Sequence, residues 1–280
     1  MLISVLILII FSIPIYSQGA SSNSGDQEEL EIILKKCAEY CEKLANSVLF
    51  FVCKEEITEK IYRRFSVSST RDDLKEVYPR ASGGIKKYVY VYDYQLLQKK
   101  NEIKEQRTLI EENGKKTHEE NAPLKTIFFR HENIVFGPIG LLSSYWQPRH
   151  DYRILKEEKL KGSKTVVIEA TPKPGYTFDH VYGKIWVRKS DFSILKIEWY
   201  QQSIKGYELV EETANRLRAK PHLSLIAEYG IEKNEIRFPS KYFLDEVYII
   251  KRGGKRYRKS ETVVFYKDYK FFTVEWEIKY

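Results

Sequence analysis

The chain has 280 residues and a formal net charge of +8, from 47 lysine and arginine residues against 39 aspartate and glutamate residues. The cations are spread along the whole length, a distribution that favours solubility and a weak attraction to anionic surfaces. In a chain without a recognisable nucleic-acid-binding module, this distribution argues against a nucleic-acid partner.

The first 19 residues have the features of a secretory signal peptide. The apolar run Leu2 to Tyr16 is shorter than the roughly 20 residues of a comfortable membrane span. Small residues, Ser17 and Gly19, occupy the positions that a signal peptidase requires. An uncleaved anchor is the alternative, because no Lys or Arg precedes the run. We therefore expect an exported protein of the periplasm or cell envelope.

Residues 20–28 are predicted to form a polar linker, and residues 29–280 a single domain. No Pro/Gly/Ser-rich linker or shift of composition interrupts the chain after Glu29. Glu29 to Val48 is the one long helix predicted. Its apolar residues recur at spacings of three and four, so this face should pack on a sheet; they are Leu30, Ile33, Leu34, Cys37, Cys41 and Leu44.

Three cysteines occur, Cys37, Cys41 and Cys53. Export favours disulfides, and an odd count leaves one thiol over. Cys37 and Cys41 lie one helical turn apart, so either could bond to Cys53 on the next strand. Cys41 to Cys53 closes the shorter loop and is the favoured pair. Three sulfurs with no histidine nearby in sequence argue against a zinc site, and no metal is predicted.

From Leu49 onward, alternating apolar and polar residues predict about a dozen strands, largely sequential and antiparallel. Asn113-Gly114 and Gly253-Gly254 are turn signals between them. The stretch Tyr207 to Lys220 is ambiguous between strand and helix, and Phe271 to Tyr280 is predicted as the last strand. A sheet this wide must curl to bury its apolar face, so the fold is predicted to be mainly β.

Thr126 to Arg149 is the most apolar stretch outside the signal peptide, but its glycines and prolines prevent a long strand or helix. Pro138 suits the first turn of a helix, so a short helix is predicted over Pro138 to Trp146. Two interpretations stay open for this segment. It is either a plug that closes the core or a lid over an apolar cavity.

Gly183 to Trp199 is predicted to form a β-hairpin around the polar turn Lys189-Ser190-Asp191. In its first arm Ile185 and Val187 point to one face and Trp186 to the other, because side chains alternate along a strand.

No catalytic signature is present. The five histidines lie far apart and lack metal-ligand spacing, and each is interpreted as a surface or loop residue. There is no Gly-x-Ser-x-Gly, phosphate loop or dinucleotide fingerprint. Adjacent carboxylates such as Glu55-Glu56 are assigned to a solvated face. We therefore predict neither an enzyme nor a cofactor.

The densest charge lies between Lys251 and Lys259, around Gly253-Gly254. Most such runs are solvated hairpin tips, and the glycines already explain this one as a turn. A contact to anionic lipid headgroups is the alternative, at about 1 kcal/mol per cation. Its candidate residues are Lys251, Arg252, Lys255, Arg256 and Arg258.

The signal peptide, the helix that leads into a first long strand and above all the hairpin Gly183 to Glu198 resemble the outer-membrane lipoprotein sorting protein superfamily, the LolA/LolB-like fold. The region from Cys41 to Cys53 and the segment that begins at Phe136 look like an exported bacterial branch of it. This resemblance implies an incomplete antiparallel β-barrel of about 11–12 strands, with an N-terminal helix and a short lid or plug helix.

The resemblance also implies an apolar cavity in which acyl chains are carried and not transformed. Cavity candidates are Phe128, Phe136, Ile139, Leu142, Trp146, Trp186 and Trp199. Arg63 and Arg64 lie in the region of the family's latch arginine, without a choice between them.

We thus expect a periplasmic, non-catalytic binding or carrier protein for a lipid, a lipoprotein acyl chain or another apolar ligand. Its partners would be a lipid or lipidated protein, with a membrane surface or membrane-anchored protein as a further one. The alternatives are a protein-protein interaction or stress-sensing module of the same fold and, third, a hydrolase on this scaffold.

Overall fold

A computed structural model describes residues 24–47, 51–63, 65–68, 76–79, 83–99, 102–130, 134–176 and 182–272. The predicted signal peptide, Arg64 and residues 273–280 of the predicted last strand lie outside these ranges.

Three α-helices occur in the described residues, α1 (Ser24–Ser47), α2 (Gly137–Leu142) and α3 (Tyr207–Arg216). Helix α1 begins earlier than predicted, so residues 24–28 of the expected linker are helical. Helix α2 ends before the predicted Trp146, and a 3-10 turn (Gln147–Arg149) follows it. Helix α3 settles the ambiguous segment as a helix that leads into a strand. None of the described helices combines the length and apolarity needed to cross a membrane.

Fifteen strands follow one another along the described chain. They are β1 (Phe51–Tyr62), β2 (Phe65–Ser68), β3 (Glu76–Pro79), β4 (Ile85–Lys99), β5 (Glu102–Glu112), β6 (Lys115–Glu119), β7 (His150–Leu160), β8 (Ser163–Pro172), β9 (Gly183–Arg188), β10 (Ile194–Trp199), β11 (Ala219–Glu228), β12 (Ile231–Lys233), β13 (Ile236–Phe238), β14 (Lys241–Ile250) and β15 (Arg256–Phe271).

Eleven of these strands form one sheet, in the order β6-β5-β4-β1-β15-β14-β11-β10-β9-β8-β7. Every pairing in it is antiparallel. The strands β12 and β13, and likewise β2 and β3, form separate two-stranded hairpins. The large sheet is open, because its end strands β6 and β7 do not pair with each other. This architecture confirms the predicted mainly β fold and its incomplete barrel.

One face of the sheet carries the core and is called the inner face below. Alternation along β1 defines it, since Phe51, Cys53 and Ile57 are buried there while their neighbours are partly exposed. Helices α1 and α2 cover this face in place of barrel closure. The apolar stripe of α1 is buried in the same core, with Leu30, Ile33, Cys37, Cys41 and Leu44 at its centre.

The predicted hairpin is confirmed as β9 and β10, with Trp199 opposite Gly183 and Ile197 opposite Ile185. Asp191 organises its turn. The carboxylate accepts hydrogen bonds from Arg188 Nε at 2.7 Å, from the Ser193 N–H at 3.2 Å and from the Ser193 hydroxyl at 2.9 Å. Burial alone would raise the pKa of Asp191, but these donors outweigh it and hold that pKa at about 2.

The turn gives a pH-dependent prediction for Asp191→Asn. At pH 7 we expect the substitution to lower the free energy of unfolding by about 0.5–1 kcal/mol, a value kept small by solvent screening of this partly exposed carboxylate. A pKa below the unfolded value means that the stabilisation is present above about pH 4 and is lost as the pH falls towards 2. Urea unfolding of both proteins at several pH values should show the gap narrowing over this range, and a constant gap would contradict the assignment.

Candidate functional site

The three cysteines are free, buried thiols, so the predicted Cys41 to Cys53 disulfide is not formed. The Cys41 thiol donates to the carbonyl oxygen of Pro138 at 3.5 Å, whereas Cys53 on β1 hydrogen-bonds the Tyr269 side chain. The sulfurs of Cys41 and Cys53 therefore have different neighbours. Burial raises the pKa of all three and brings that of Cys37 to about 12, which keeps them in the unreactive thiol form.

The apolar segment from Thr126 onward packs into the core. We call residues 126–130 and 134–142 the cover segment, because they lie over the inner face. Phe129 is fully buried and meets Tyr242 of β14 edge to face, with ring centroids 5.4 Å apart. Leu141 and Leu142 of α2 are also buried in the core cluster. In this conformation the segment is packed against the inner face, and both the plug and the lid interpretation remain predictions.

A buried carboxylate on β1 fixes the start of the cover segment. Glu59 has no solvent exposure, and its oxygens accept hydrogen bonds from the backbone N–H groups of Ile127 at 2.9 Å, Phe128 at 2.8 Å and Phe129 at 3.4 Å. Hydrogen bonds from consecutive backbone amides compensate the free energy that a carboxylate loses when it is buried away from water. The contact thus fixes the segment to β1, an interior strand of the sheet.

The far end of the cover segment approaches the sheet closely. A Cβ added at Gly137 would lie 2.6 Å from Tyr229 Oη and 3.2 Å from Trp199 Cζ2, so glycine is required for this contact. Tyr229 donates its hydroxyl hydrogen to the Ile134 carbonyl at 3.2 Å. The buried Trp199 Nε1 has no hydrogen-bond partner among the described residues.

Most of the seven cavity candidates lie in this covered interface. Leu142 and Trp199 belong to the core cluster, while Phe128, Phe136 and Ile139 pack against it half-buried. Trp146 lies near the surface, where the Arg149 guanidinium is 4.7 Å from its ring centroid. Of these six side chains, five pack in the covered interface and Trp146 lies near the surface.

Trp186, the seventh candidate, lies outside this interface. It lies on the outer face of β9, opposite to the core residues Ile185 and Val187. Its indole N–H donates to Glu158, and the Lys196 ammonium lies 4.0 Å from its ring centroid. Alternation along the strand forbids Trp186 from lining the same space as its neighbours.

The carboxylates of β1 correct a second expectation. Glu55, assigned to solvent from sequence, has no exposure at all. It accepts two bonds from Arg107 of β5, from Nε at 2.6 Å and from Nη2 at 3.2 Å, and one from the Tyr266 hydroxyl at 3.0 Å. Its neighbour Glu56 points to the other face and pairs with Lys267. Only one member of the adjacent pair is therefore solvated.

The histidines supply no assembled site. His150 is buried and not a surface residue as expected; its Nδ1 lies 3.0 Å from the Trp146 carbonyl oxygen, and burial lowers its pKa. The adjacent Asp151 is exposed on the opposite face. His131 and His180 lie outside the described residues. Within those ranges, no group of His, Cys, Asp and Glu side chains is placed to bind a metal ion.

An open apolar groove of about 370 Å³ runs between the first turns of α1 and the sheet. Its walls include Glu29, Ile32 and Ile33 of α1 together with Val166, Lys189 and Phe192 on the sheet side. Ile33 and Val166 belong to the core cluster, so the floor of the groove is the core itself. Lys189 at the rim is paired with Glu29 at 3.3 Å. We call this space the apolar groove.

A second groove, of about 440 Å³, lies further along α1 and shares Phe192 with the first. Charged side chains line most of it and define it as the polar groove. They are Lys36, Glu39 and Lys43 from α1 and Asp191, Glu232 and Glu235 from the facing turns. Neither groove was predicted from the sequence.

The remaining candidates lie at the surface. The hairpin between β14 and β15 exposes Lys251, Arg252, Lys255 and Arg256, while Arg258 pairs with Asp245 at 2.8 Å. Of the two latch candidates, the described one, Arg63, is exposed where β1 ends, and its backbone N–H donates to Gly84. Among the described residues, Glu59 is the charged side chain of β1 that contacts residues 127–129 of the cover segment.

The chain is thus a mainly β protein whose open antiparallel sheet is covered by helices. Residues 141–211 match a family model described as "-like: Uncharacterized protein", which spans less than half of the 280-residue chain. No curated protein matches the sequence.

Among solved structures, the chain is similar to a DUF1329 family protein from Desulfovibrio piger, with 12% identity, a TM-score of 0.39 and coverage of 86% of this chain and 92% of that one. It is also similar to a LolA superfamily protein from Nitrosomonas europaea, with 13% identity, a TM-score of 0.34 and coverage of 88% and 94%. A third is described as a "putative outer membrane lipoprotein-sorting protein domain" from Vibrio parahaemolyticus, with 14% identity, a TM-score of 0.34 and coverage of 87% and 95%.

The descriptions of the second and third structures name the superfamily that the hairpin resembles. At such identities and TM-scores these likenesses assign neither a family to the chain nor a role to any residue.

Proposed function

We propose that this protein is an exported, non-catalytic binding or carrier protein for a lipid or other apolar ligand of the cell envelope. The observation that carries the proposal is the apolar groove, about 370 Å³ of accessible space whose floor is the core. Ligand sites are concave, mostly apolar and of this order of size. The polar rim at Lys189 and Glu29 suits a ligand that is apolar along its length and polar at one end.

Affinity in such a site comes from removing hydrocarbon from water, at about 0.8 kcal/mol for each buried methylene. Ile32 is 53% exposed on the wall of the groove, an unusual position for a large apolar side chain on an otherwise polar surface of α1. A bound acyl chain would cover this side chain together with Ile33 and Val166. The groove needs no movement of the cover segment to accept it.

The basic hairpin tip fits the same function. Four cations are exposed at this tip and form no ion pair with a described carboxylate: Lys251, Arg252, Lys255 and Arg256. Near an anionic membrane each would contribute on the order of 1 kcal/mol. We propose that the tip contacts lipid headgroups when ligand is collected or released.

The variant Ile32→Glu tests the groove. A carboxylate on its wall has to be desolvated by an acyl chain, so we expect the affinity for a fluorescent fatty-acyl probe to fall by roughly tenfold or more. Glutamate is a good helix former and the site is exposed, so folding should be unaffected. Fluorescence titration of the purified protein provides the measurement.

Leu209→Glu is the matched control, because Leu209 is 68% exposed on α3 and lines neither groove. It should leave probe binding unchanged. If neither the unmodified protein nor the control binds any acyl probe or co-purifies with lipid, the carrier function is wrong. If Ile32→Glu binds as tightly as the control, the ligand lies elsewhere.

A further inference from the structure

The two grooves along α1 share one face of the helix. Residues of that face follow one another at spacings of three and four, as one stripe of a helix does: Gly25, Glu29, Ile32, Lys36, Glu39 and Lys43. From the first to the last of these positions the helix rises about 27 Å. Phe192, at the hairpin turn, belongs to both grooves and marks where the apolar part gives way to the polar part.

Charges of opposite sign face each other across the polar groove. Helix α1 presents Lys36 and Lys43, and the hairpin of β12 and β13 presents Glu232 and Glu235. One ion pair spans the groove, Lys43 Nζ to Glu235 Oε2 at 3.3 Å, and its side chains are 61% and 82% exposed. Such a pair is held weakly and is easily opened by a competing ion.

We propose that the two grooves form a single site for a zwitterionic amphiphile. Its acyl chain would lie in the apolar groove, its anionic group beside Lys43 and its cationic group beside Glu235, because Lys36 is already paired with Glu39. This assignment rests on the proposed function and adds the chemistry of the headgroup to it. A headgroup with both charges replaces the ion pair across the groove without leaving either partner uncompensated.

Singly charged amphiphiles fit less well. A fatty acid would separate Lys43 from Glu235 and leave the glutamate facing a second carboxylate. A long-chain amine would leave Lys43 facing a second cation. Glu232 cannot compensate for either loss, because it is held by Arg237 and lies 3.5 Å from Arg188. The geometry therefore favours a phosphate ester with an ammonium group over either single charge.

The test compares three amphiphiles of equal chain length by isothermal titration below their micelle concentrations. They are a lysophosphatidylethanolamine, the free fatty acid and the alkylamine. We expect the zwitterionic lipid to bind roughly tenfold more tightly than the other two. In the double variant K43Q/E235Q this preference should shrink to less than about threefold, because both headgroup contacts are weakened.

The double variant E212Q/R216Q is the matched control, because it removes another exposed ion pair, on α3, with side chains 54% and 52% exposed. It should keep the full preference. Equal affinity of the unmodified protein for all three amphiphiles would overturn the headgroup assignment while leaving the carrier function standing. Binding of none of them would instead reject the carrier function itself.

Discussion

Replacing Arg107 by methionine is expected to lower the free energy of unfolding by roughly 3–5 kcal/mol. The guanidinium is 7% exposed and supplies two of the hydrogen bonds that Glu55 receives, while its Nη1 lies 3.0 Å from Glu105 Oε2. Without Arg107, the carboxylate of Glu55 stays in the core. Among the described residues, the Tyr266 hydroxyl is then its remaining hydrogen-bond donor. An uncompensated buried charge costs far more than the pair contributes when intact.

The double variant E55Q/R107M separates charge from packing. Because it removes the charges of Glu55 and Arg107 but leaves the buried Glu105 without this ion pair, we expect it to recover only part of the stability lost in R107M, and the amide of the glutamine still needs partners. Urea unfolding followed by circular dichroism at pH 7 would measure both. If R107M alone cost less than about 1 kcal/mol, the pair would be solvated in solution.

Replacing Phe129 by alanine is the second substitution with a large expected effect. Phe129 is fully buried against Tyr242 within the cover segment, and loss of such a ring costs about 3–5 kcal/mol when the rest of the structure keeps its place. That full loss in global unfolding is expected if the cover segment is an integral plug. Phe265→Ala, at a position 41% exposed on β15, should cost about 1 kcal/mol or less.

The same variant distinguishes a plug from a lid. If the cover segment can leave the inner face as a unit, the loss measured for Phe129→Ala cannot exceed the free energy of that opening. Hydrogen exchange at the amides of Ile127 and Phe128, which are bonded to Glu59, would report the opening directly. Exchange that becomes much faster while global stability falls only slightly would identify a lid.

The hairpin architecture could be predicted from sequence because its rules are local. The left-handed conformation at Asn113 and Gly114, with φ of 49° and 82°, follows from the two residue types that adopt it most readily. Alternation placed Ile185 and Val187 on one face and Trp186 on the other. These rules do not say which face meets a ligand, so the place of Trp186 in a cavity stays a prediction.

The buried carboxylates could not be predicted, because their partners are distant in the chain. Glu55 lies 52 residues from Arg107, and Glu59 lies between 68 and 70 residues from the amides that bind it. In the sequence both glutamates are next to other charged residues, a pattern that predicts exposure to solvent. A signal was nevertheless present, since they share the alternation of Phe51, Cys53 and Ile57.

The two grooves could not be predicted from the sequence either, because the residues that form them are distant in the chain. They exist only because α1 packs beside the turn of the hairpin, and the bond from Lys189 to Glu29 joins residues 160 positions apart. Helical periodicity showed which face of α1 would be buried. It could not show that the adjoining stripe of α1, from Glu29 to Lys43, would lie opposite the hairpin turn and form grooves with it.

An open sheet leaves two strands whose backbone groups have no neighbour on one side, and these could recruit strands from other copies of the chain. In this sheet both end strands carry lysine side chains. The short β6 is exposed throughout and carries Lys115 and Lys116, and β7 carries Lys156 and Lys159. Lysines on an edge strand oppose the approach of another strand. The sheet can therefore stay open without inviting edge-to-edge aggregation.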